Sequence, residues 1–259
     1  MVDNAVSRDQ MIKKWIREIS EVVLNNNHDQ MEIEQKTKPN DLVTNMDKWV
    51  EQELVKKIRT AFPSDRIVGE EGYGDAIDDL TGTVWFIDPI DGTLNFVLQN
   101  ENYAMMLAVY EEGIPVQSYV YDVVQDRLYS AIKDKGVSCN GKRIEPPLDL
   151  SLSEGMLATN SSIMMEDKYE YLRRVSNSSL GLRLIGSAGL ESVEVAKGSV
   201  VAYLATNLKP WDVAPGLLFM KELGLKATQF NNEPLDLLNN NDIIFATAKA
   251  HQEIIDLIK

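Results

Sequence analysis

Asp88 and Asp91 stand three residues apart in Trp85-Phe86-Ile87-Asp88-Pro89-Ile90-Asp91-Gly92-Thr93, at the end of an apolar run from Val84 to Ile87. Two carboxylates at the mouth of a buried strand read as a metal-assisted phosphate site. Pro89 continues neither a sheet ladder nor a helix interior, so the chain is expected to turn there and to present both acids from a short, rigid loop. Gly92 lets the backbone approach a ligand closely, and Thr93 to Val97 reads as a first helical turn whose free N–H groups suit a phosphate oxygen. Two more acids occupy similar places. Glu70 follows an apolar strand in Ile67-Val68-Gly69-Glu70-Glu71-Gly72, and Asp212 precedes an apolar helix in Lys209-Pro210-Trp211-Asp212. If the strands carrying Glu70 and Asp88 are neighbours, their carboxylates meet at one sheet edge, where α/β proteins gather ligands.

Each acid has a plainer role open to it. Asp212 can cap a helix, Asp91 before Gly92 can form a turn, and Glu70 and Glu71 can belong to a solvated loop. The combination argues for chemistry, because a buried apolar strand seldom ends in Asp-Pro-x-Asp-Gly-Thr by composition alone. Four clustered carboxylates repel a phosphate ester until divalent cations neutralise them, so the site should be inert without metal. The net charge of −14 argues against nucleic acid or anionic membrane as a partner. There are two histidines, His28 and His251, neither beside a serine or cysteine motif, and no G-x-S-x-G, Walker loop or H-E-x-x-H occurs. The chemistry has to come from carboxylates.

The elements that must position these acids follow from periodicity. Met11, Ile12, Trp15, Ile16, Ile19, Val22 and Val23 predict an amphipathic helix over 4–25, ended by Asn25-Asn26-Asn27. A second helix is expected from Thr44, with Trp49, Val50, Leu54, Val55 and Ile58 on one face, Pro63 beyond its end, and Thr44 and Asp47 as a capping box. Between them the polar loop from Lys36 to Asp41 can reach toward a site. Tyr103–Tyr110, Val116–Tyr121 and Arg127–Ile132 read as an antiparallel meander with turns at Gly113, Asp122 and Lys135-Gly136, and Asn140-Gly141 marks another tight turn. Pro146-Pro147 marks a boundary between an N-terminal α+β half (1–147) and a C-terminal α/β half (148–259). After it come strands at Met156–Thr159, Arg183–Ile185, Val200–Leu204 and Ile243–Ala246. Helices are expected at Glu166–Ser176, Ala188–Lys197 (closed by Gly198), Asp212–Leu223 (ended by Gly224) and from Ala250 onward. With 259 residues, 44% of them hydrophobic, the chain can build a globular enzyme. No apolar run approaches the roughly 18 to 20 residues of a membrane span. A charged N-terminus and a single cysteine, Cys139, suggest the cytosol.

Gly69-Glu70-Glu71-Gly72, Asp88-Pro89-Ile90-Asp91-Gly92-Thr93 and Trp211-Asp212-Val213-Ala214-Pro215-Gly216 together resemble the inositol monophosphatase family of magnesium-dependent, lithium-sensitive phosphatases, in the family's order and at similar spacing. The resemblance runs from the first helix to the last and is of the bacterial type. It implies a layered α-β-α-β-α sandwich and a homodimer. By the same resemblance Glu70, Asp88 and the Ile90 carbonyl hold one Mg²⁺, Asp88, Asp91 and Asp212 a second, and a third, weaker ion lies near Glu70. One ion would lower the pKa of a bound water while the other stabilises the departing alkoxide. Thr93 would orient that water, Asp47 would help take its proton, and the Gly92 and Thr93 N–H groups would bind phosphate.

On the substrate side the resemblance assigns Asp91 and Gly186-Ser187-Ala188 to the polyol, Lys36 to a basic group near the site, and Arg183 to a second anionic group of a larger substrate. Lys36 can equally be a solvated lysine and Arg183 an ordinary surface ion pair. Animal members carry a glutamate where this chain has Ala205-Thr206-Asn207. The substrates in view are therefore inositol 1-phosphate and, with the same chemistry, fructose 1,6-bisphosphate, the 2′-phosphate of NADP or 3′-phosphoadenosine phosphates. A regulatory or RNA-associated protein on this fold is the alternative of another class, against which the intact set of acids argues.

Overall fold

The computed structural model describes residues 4–25, 32–36 and 42–259; His28, Asn26-Asn27 and Thr37–Asp41 lie outside the described residues. Helix α1 (Asn4–Leu24) is followed by a small antiparallel ribbon of β1 (Ile33–Gln35) and β2 (Leu42–Thr44), and by helix α2 (Asn45–Ala61). Strands β3 (Arg66–Gly69) and β4 (Thr83–Asp91) come next, then the short helix α3 (Thr93–Gln99). The meander follows as β5 (Ala104–Glu111), β6 (Ile114–Asp122), β7 (Arg127–Ile132), β8 (Gly136–Cys139) and β9 (Lys142–Ile144). Strands β3 to β9 form one seven-stranded sheet in sequence order, antiparallel except for the parallel pair β3 and β4.

Beyond Pro147 the chain builds β10 (Leu157–Thr159), α4 (Ser161–Met165), α5 (Glu170–Asn177), β11 (Leu182–Arg183), α6 (Ala188–Ala196), β12 (Ala202–Leu208), α7 (Pro210–Glu222), β13 (Lys226–Gln229), β14 (Asn241–Ala246) and α8 (Ala248–Ile258). Its strands form a five-stranded sheet in the order β11-β10-β12-β14-β13.

Three apolar clusters define the layers. Ile12, Ile16 and Ile19 of α1 and Val50, Leu54 and Ile58 of α2 pack with Trp85, Ile87 and Leu107 on one face of the larger sheet. Val193 of α6 and Leu218 and Phe219 of α7 fill the space between its other face (Val84, Phe86, Met106) and the smaller sheet (Ala158, Tyr203, Phe245). Leu172 and Val175 of α5 and Ile254 of α8 cover the far face of the smaller sheet. The result is the expected α-β-α-β-α sandwich. Pro146-Pro147 does separate the strands of one sheet from those of the other, but the two sheets share the middle core.

Several local expectations are corrected. The chain does not turn at Pro89: β4 continues through it to Asp91, with a register shift in which Asp88 faces Met106 and Asp91 faces Ala104. Three steps on β4 thus oppose two on β5, a bulge that tolerates a proline. The bulge also decides which way the acids face. In a regular strand, residues three apart point to opposite faces. The extra residue reverses that parity, so Ile90 joins the α1/α2 side while Asp91 joins Asp88 on the middle layer. The helix expected over 166–176 begins at Glu170, behind a 3-10 turn over Asp167–Tyr169 and the separate α4. Ile163 and Leu172 both enter one core, yet nine residues apart they would fall on opposite sides of a single helix. The strand expected at Arg183–Ile185 is only Leu182–Arg183, and that expected at Val200–Leu204 runs from Ala202 to Leu208.

Candidate active site

The end of β4, the start of α3, the loop after β3 and the N-termini of α6 and α7 converge on one cavity of about 470 Å³, lined by Glu70, Asp91, Thr93, Ser187, Glu191 and Asp212 among others. Each acid is held by a local device. Asp91 accepts from the Ala188 N–H (2.9 Å, Oδ1), the Gly189 N–H (2.8 Å, Oδ2) and the Ser187 hydroxyl (Oδ2). It therefore sits on the positive end of α6. A side chain at Gly189 would press on Met106 Sδ and Asp91 Oδ2, so only glycine permits this approach. Asp212 is the third residue of α7 rather than its cap, and its Oδ2 accepts from the Lys209 N–H (2.8 Å). Pro210 opens that helix, where its missing N–H costs nothing.

Asp47 makes the contacts that both readings of it require. Its Oδ2 accepts from the Thr44 N–H (2.8 Å) and hydroxyl, completing the capping box of α2, while its Oδ1 lies 3.0 Å from the Thr93 hydroxyl. That hydroxyl is also 3.0 Å from the Ile90 carbonyl oxygen and donates to one of the two at a time. Gly92, at φ +91, allows the close passage of Asn102, Gly186 and Ser187.

Burial dominates the electrostatics. Asp88, almost fully buried, is pushed well above the usual carboxylate range by desolvation and then by Glu70, Asp91 and Asp212. Asp212 is raised likewise by desolvation, Glu70 and Asp91, and it shares a side-chain hydrogen bond with Asp88. Asp91 rises to about 6 by desolvation despite its three donors. Burial also raises Asp47, against the hydrogen bonds from Thr44 and Thr93. Lys36 Nζ reaches Glu70 Oε1 (2.9 Å) and Glu71 Oε1 (2.7 Å). Burial works to lower its pKa, but the two acids outweigh that and raise it.

These groups fit a divalent cation. Among the described residues Asp88 Oδ1 is buried between the other acids with no hydrogen-bond partner, which leaves it free to bind a cation. Among the described residues no three His, Cys, Asp or Glu side chains already close on one point as a cage. Mg²⁺ does not require one, since it is bound through one or two carboxylates and keeps several waters or substrate oxygens.

Of the substrate-side residues, Gly186, Ser187 and Ala188 line the cavity, and Lys36 stands beside it on Glu70. Arg183 is not brought in: its side chain is exposed and Nη1 donates to the Leu182 carbonyl (2.7 Å). Three buried residues escaped the sequence reading. Glu51 accepts from the Glu71 N–H (2.6 Å) and the Tyr73 N–H (2.8 Å) and so shapes the turn carrying Glu70. Glu191 accepts from the Ile185 N–H (2.5 Å), and Asn95 donates to the carbonyls of Ile185 (2.8 Å) and Asn102 (2.9 Å). The available signal was an acid on an apolar helix stripe, Glu51 beside Val50, Leu54 and Val55, and Glu191 within Ala188–Ala196.

Fold and site define a carboxylate-based phosphatase. The family model described as the inositol monophosphatase family matches residues 7–259, and the chain belongs to that family. It is similar to the inositol-1-monophosphatase of Bacillus subtilis (strain 168), with 39% identity over 256 residues covering 96% of this chain and 95% of the relative. A crystal structure of an IMPase/NADP phosphatase complexed with Mg²⁺ and phosphate superposes with a TM-score of 0.91 at 33% identity, covering 98% of this chain and 96% of that one. A staphylococcal inositol monophosphatase-1 soaked in 100 mM LiCl, an inhibitory complex, matches with a TM-score of 0.92 at 33% identity, over 99% and 96% of the two chains. The chain is thus a phosphoric monoester hydrolase of a family whose structures hold divalent metal. No helix among the described residues is long and apolar enough to cross a membrane.

Proposed function

We propose that the chain is a Mg²⁺-dependent phosphomonoesterase that hydrolyses a small phosphorylated polyol such as inositol 1-phosphate. The observation that carries this reading is the buried, unpartnered Asp88 Oδ1 among Glu70, Asp91 and Asp212. Glu70, Asp88 and the Ile90 carbonyl would hold one Mg²⁺, and Asp88, Asp91 and Asp212 another, with a third, weaker site near Glu70. When bound, the ions supply an acidified water and charge neutralisation at the leaving oxygen.

The chain's own residues supply the rest. Thr93, held by Asp47 Oδ1, would orient the attacking water, and Asp47 would receive its proton through that hydrogen bond. The Gly92 and Thr93 N–H groups would hold phosphate oxygens at the start of α3. The alcohol half would lie against Ser187, Ala188 and Tyr203, in a cavity sized for a small ligand. Among the described residues no Lys or Arg lines that cavity and Arg183 points outward, so the wall offers no cation for a second phosphate, which favours a monophosphate over fructose 1,6-bisphosphate.

A phosphate-release panel tests this reading: inositol 1-phosphate, fructose 1,6-bisphosphate, NADP and 3′-phosphoadenosine 5′-phosphate, each with Mg²⁺ and with chelator. Mg²⁺-dependent release led by inositol 1-phosphate is expected. No release from any ester would refute the reading, and faster release from a bisphosphate would refute the substrate assignment. A homodimer in the cytosol is the accompanying expectation from family resemblance, tested by sedimentation equilibrium and by localisation of the tagged chain.

A further inference from the structure

The backbone between β11 and α6 lies at the cavity wall and yet belongs to no sheet ladder. Strand β11 ends at Arg183, so the peptide groups of Ile185 and Gly186 must find partners elsewhere. They find them in two buried side chains from different layers. Glu191, one turn into α6, accepts the Ile185 N–H on Oε1 at 2.5 Å and also accepts from the Gly186 N–H. From the opposite side Asn95 Nδ2 donates to the Ile185 carbonyl at 2.8 Å, and its other proton goes to the Asn102 carbonyl at 2.9 Å. Asn95 belongs to α3, two residues after Thr93, so the clamp joins the turn of the smaller-sheet half to the proposed phosphate turn of the larger.

What the clamp holds is the Gly186-Ser187 turn. Gly186 has φ +84 and passes so close to Asn95 that an added Cβ would lie 3.3 Å from Nδ2. Ser187 then donates to Asp91 Oδ2, and the first N–H groups of α6 donate to both Asp91 oxygens. Glu191 is an expensive way to make two hydrogen bonds. It is buried on a largely apolar helix, its Oε2 has no partner among the described residues, and desolvation lifts it to about 7. A buried acid kept at such cost, one loop away from a proposed metal ligand, points to a demand of the site rather than of the core.

We propose that Glu191 and Asn95 are positioning residues that clamp the Ile185 peptide from both sides, and so fix the turn that aims Asp91 at its cation and walls the alcohol half of the substrate. The proposal rests on the metal-dependent phosphatase reading and adds how that site is kept in register. The role is one of hydrogen-bond acceptance, so a neutral amide at position 191 serves it.

The test is Mg²⁺ titration by calorimetry on the full, metal-free chain, followed by KM and kcat for inositol 1-phosphate. E191A and N95A are expected to weaken Mg²⁺ binding by about 10–100-fold, the usual effect of removing a group that orients a metal ligand, and to raise KM. E191Q is expected to stay within about threefold of the parent. E191A that melts earlier but binds Mg²⁺ like the parent would overturn the proposal, as would E191Q impaired as badly as E191A. Should E191A not fold, N95A cuts the other side of the clamp, and unchanged Mg²⁺ binding there overturns it equally. A parent chain that binds Mg²⁺ but releases no phosphate would sink the phosphatase reading while the titrations still decide on the clamp; one that binds no Mg²⁺ sinks both.

Discussion

Asp88→Asn exchanges one buried carboxylate oxygen for an amide nitrogen at nearly constant volume. Without metal the parent holds this carboxylate against its preference, with Asp212 sharing a hydrogen bond and Glu70 and Asp91 adding repulsion. Asp91 shows the scale: a rise from 3.8 to about 6 corresponds to roughly 3 kcal/mol of penalty on the charged form. Relief of part of that at Asp88 is on the order of 1–3 kcal/mol, and for a chain of this size each kcal/mol moves Tm by about 2–4 °C. The chelated variant should therefore melt about 2–12 °C above the chelated parent at pH 8. Mg²⁺ behaves in the opposite way. At one hundred times its Kd it stabilises the parent by about 2.7 kcal/mol, or roughly 5–10 °C, and the variant should show almost none of this. Turnover should fall by about 10³–10⁴-fold, equivalent to about 4–5.5 kcal/mol of transition-state stabilisation. Melting curves with chelator and with Mg²⁺, beside phosphate release, read all three effects. A variant that keeps half of the parental Mg²⁺ shift, or turns over within tenfold of the parent, would refute the shared-ligand role of Asp88.

Thr93→Ala should lower kcat by roughly 10²–10³-fold while leaving the Mg²⁺ titration within threefold, since the hydroxyl touches Asp47 and the Ile90 carbonyl and is no proposed ligand; Thr93→Ser should recover most of the loss, and equal damage in both would count against the hydroxyl. Glu51→Ala removes two charge-assisted bonds to the Glu71 and Tyr73 N–H groups and should cost about 2–4 kcal/mol, read as a drop in denaturant midpoint; a change below 1 kcal/mol would show that the turn holds itself. The pH dependence of the metal-free chain has a definite sign. Desolvation raises Asp91 to about 6 and Glu71 and Glu191 to about 7, all above their unfolded values near 4. Their contribution is therefore fully present below about pH 4 and is lost as pH rises through 6 to 7. Chelated Tm should fall between pH 5 and 8, and saturating Mg²⁺ should flatten that fall; a chelated Tm that climbs over this range would contradict the buried-acid picture.

How much of this was legible in the sequence depends on whether the signal was local. The amphipathic stripes of α1 and α2, the meander and the alternation of the second half were all readable because apolar period and turn residues agree there. The acids were readable as a set because each closes an apolar strand or opens an apolar helix. Pro89 misled for a physical reason. Its meaning depends on β5, whose register supplies the bulge that keeps the proline inside the strand and brings Asp91 to the side of Asp88. The capping box at Thr44 was visible from local spacing, whereas the second use of Asp47 came only with the family resemblance, since its partner Thr93 lies 46 positions away. Glu191 and Asn95 act on a backbone segment that belongs to no element. No periodicity marks such a segment, and the strand expected at Arg183–Ile185 concealed it.

The charge the chain itself supplies bears on the proposal of more than one cation at this site. The N-termini of α6 and α7 each lend about half a positive charge, and both are already committed, to Asp91 and to Asp212. Lys36 is shared between Glu70 and Glu71 and so leaves no net positive charge for the others. Of the four formal charges on Glu70, Asp88, Asp91 and Asp212, about three remain without compensation from the chain. A phosphate ester brings nearly two more. One divalent ion would leave the bound state about three charges negative in a desolvated site, while two bring it within about one. On the proposed reading the charge balance favours two ions with substrate present, and the second should bind more tightly when phosphate is there than when it is not. Calorimetric Mg²⁺ titrations with and without inorganic phosphate check this directly. A second stoichiometric step of equal affinity in both would mean that the balance of charge is not what recruits it.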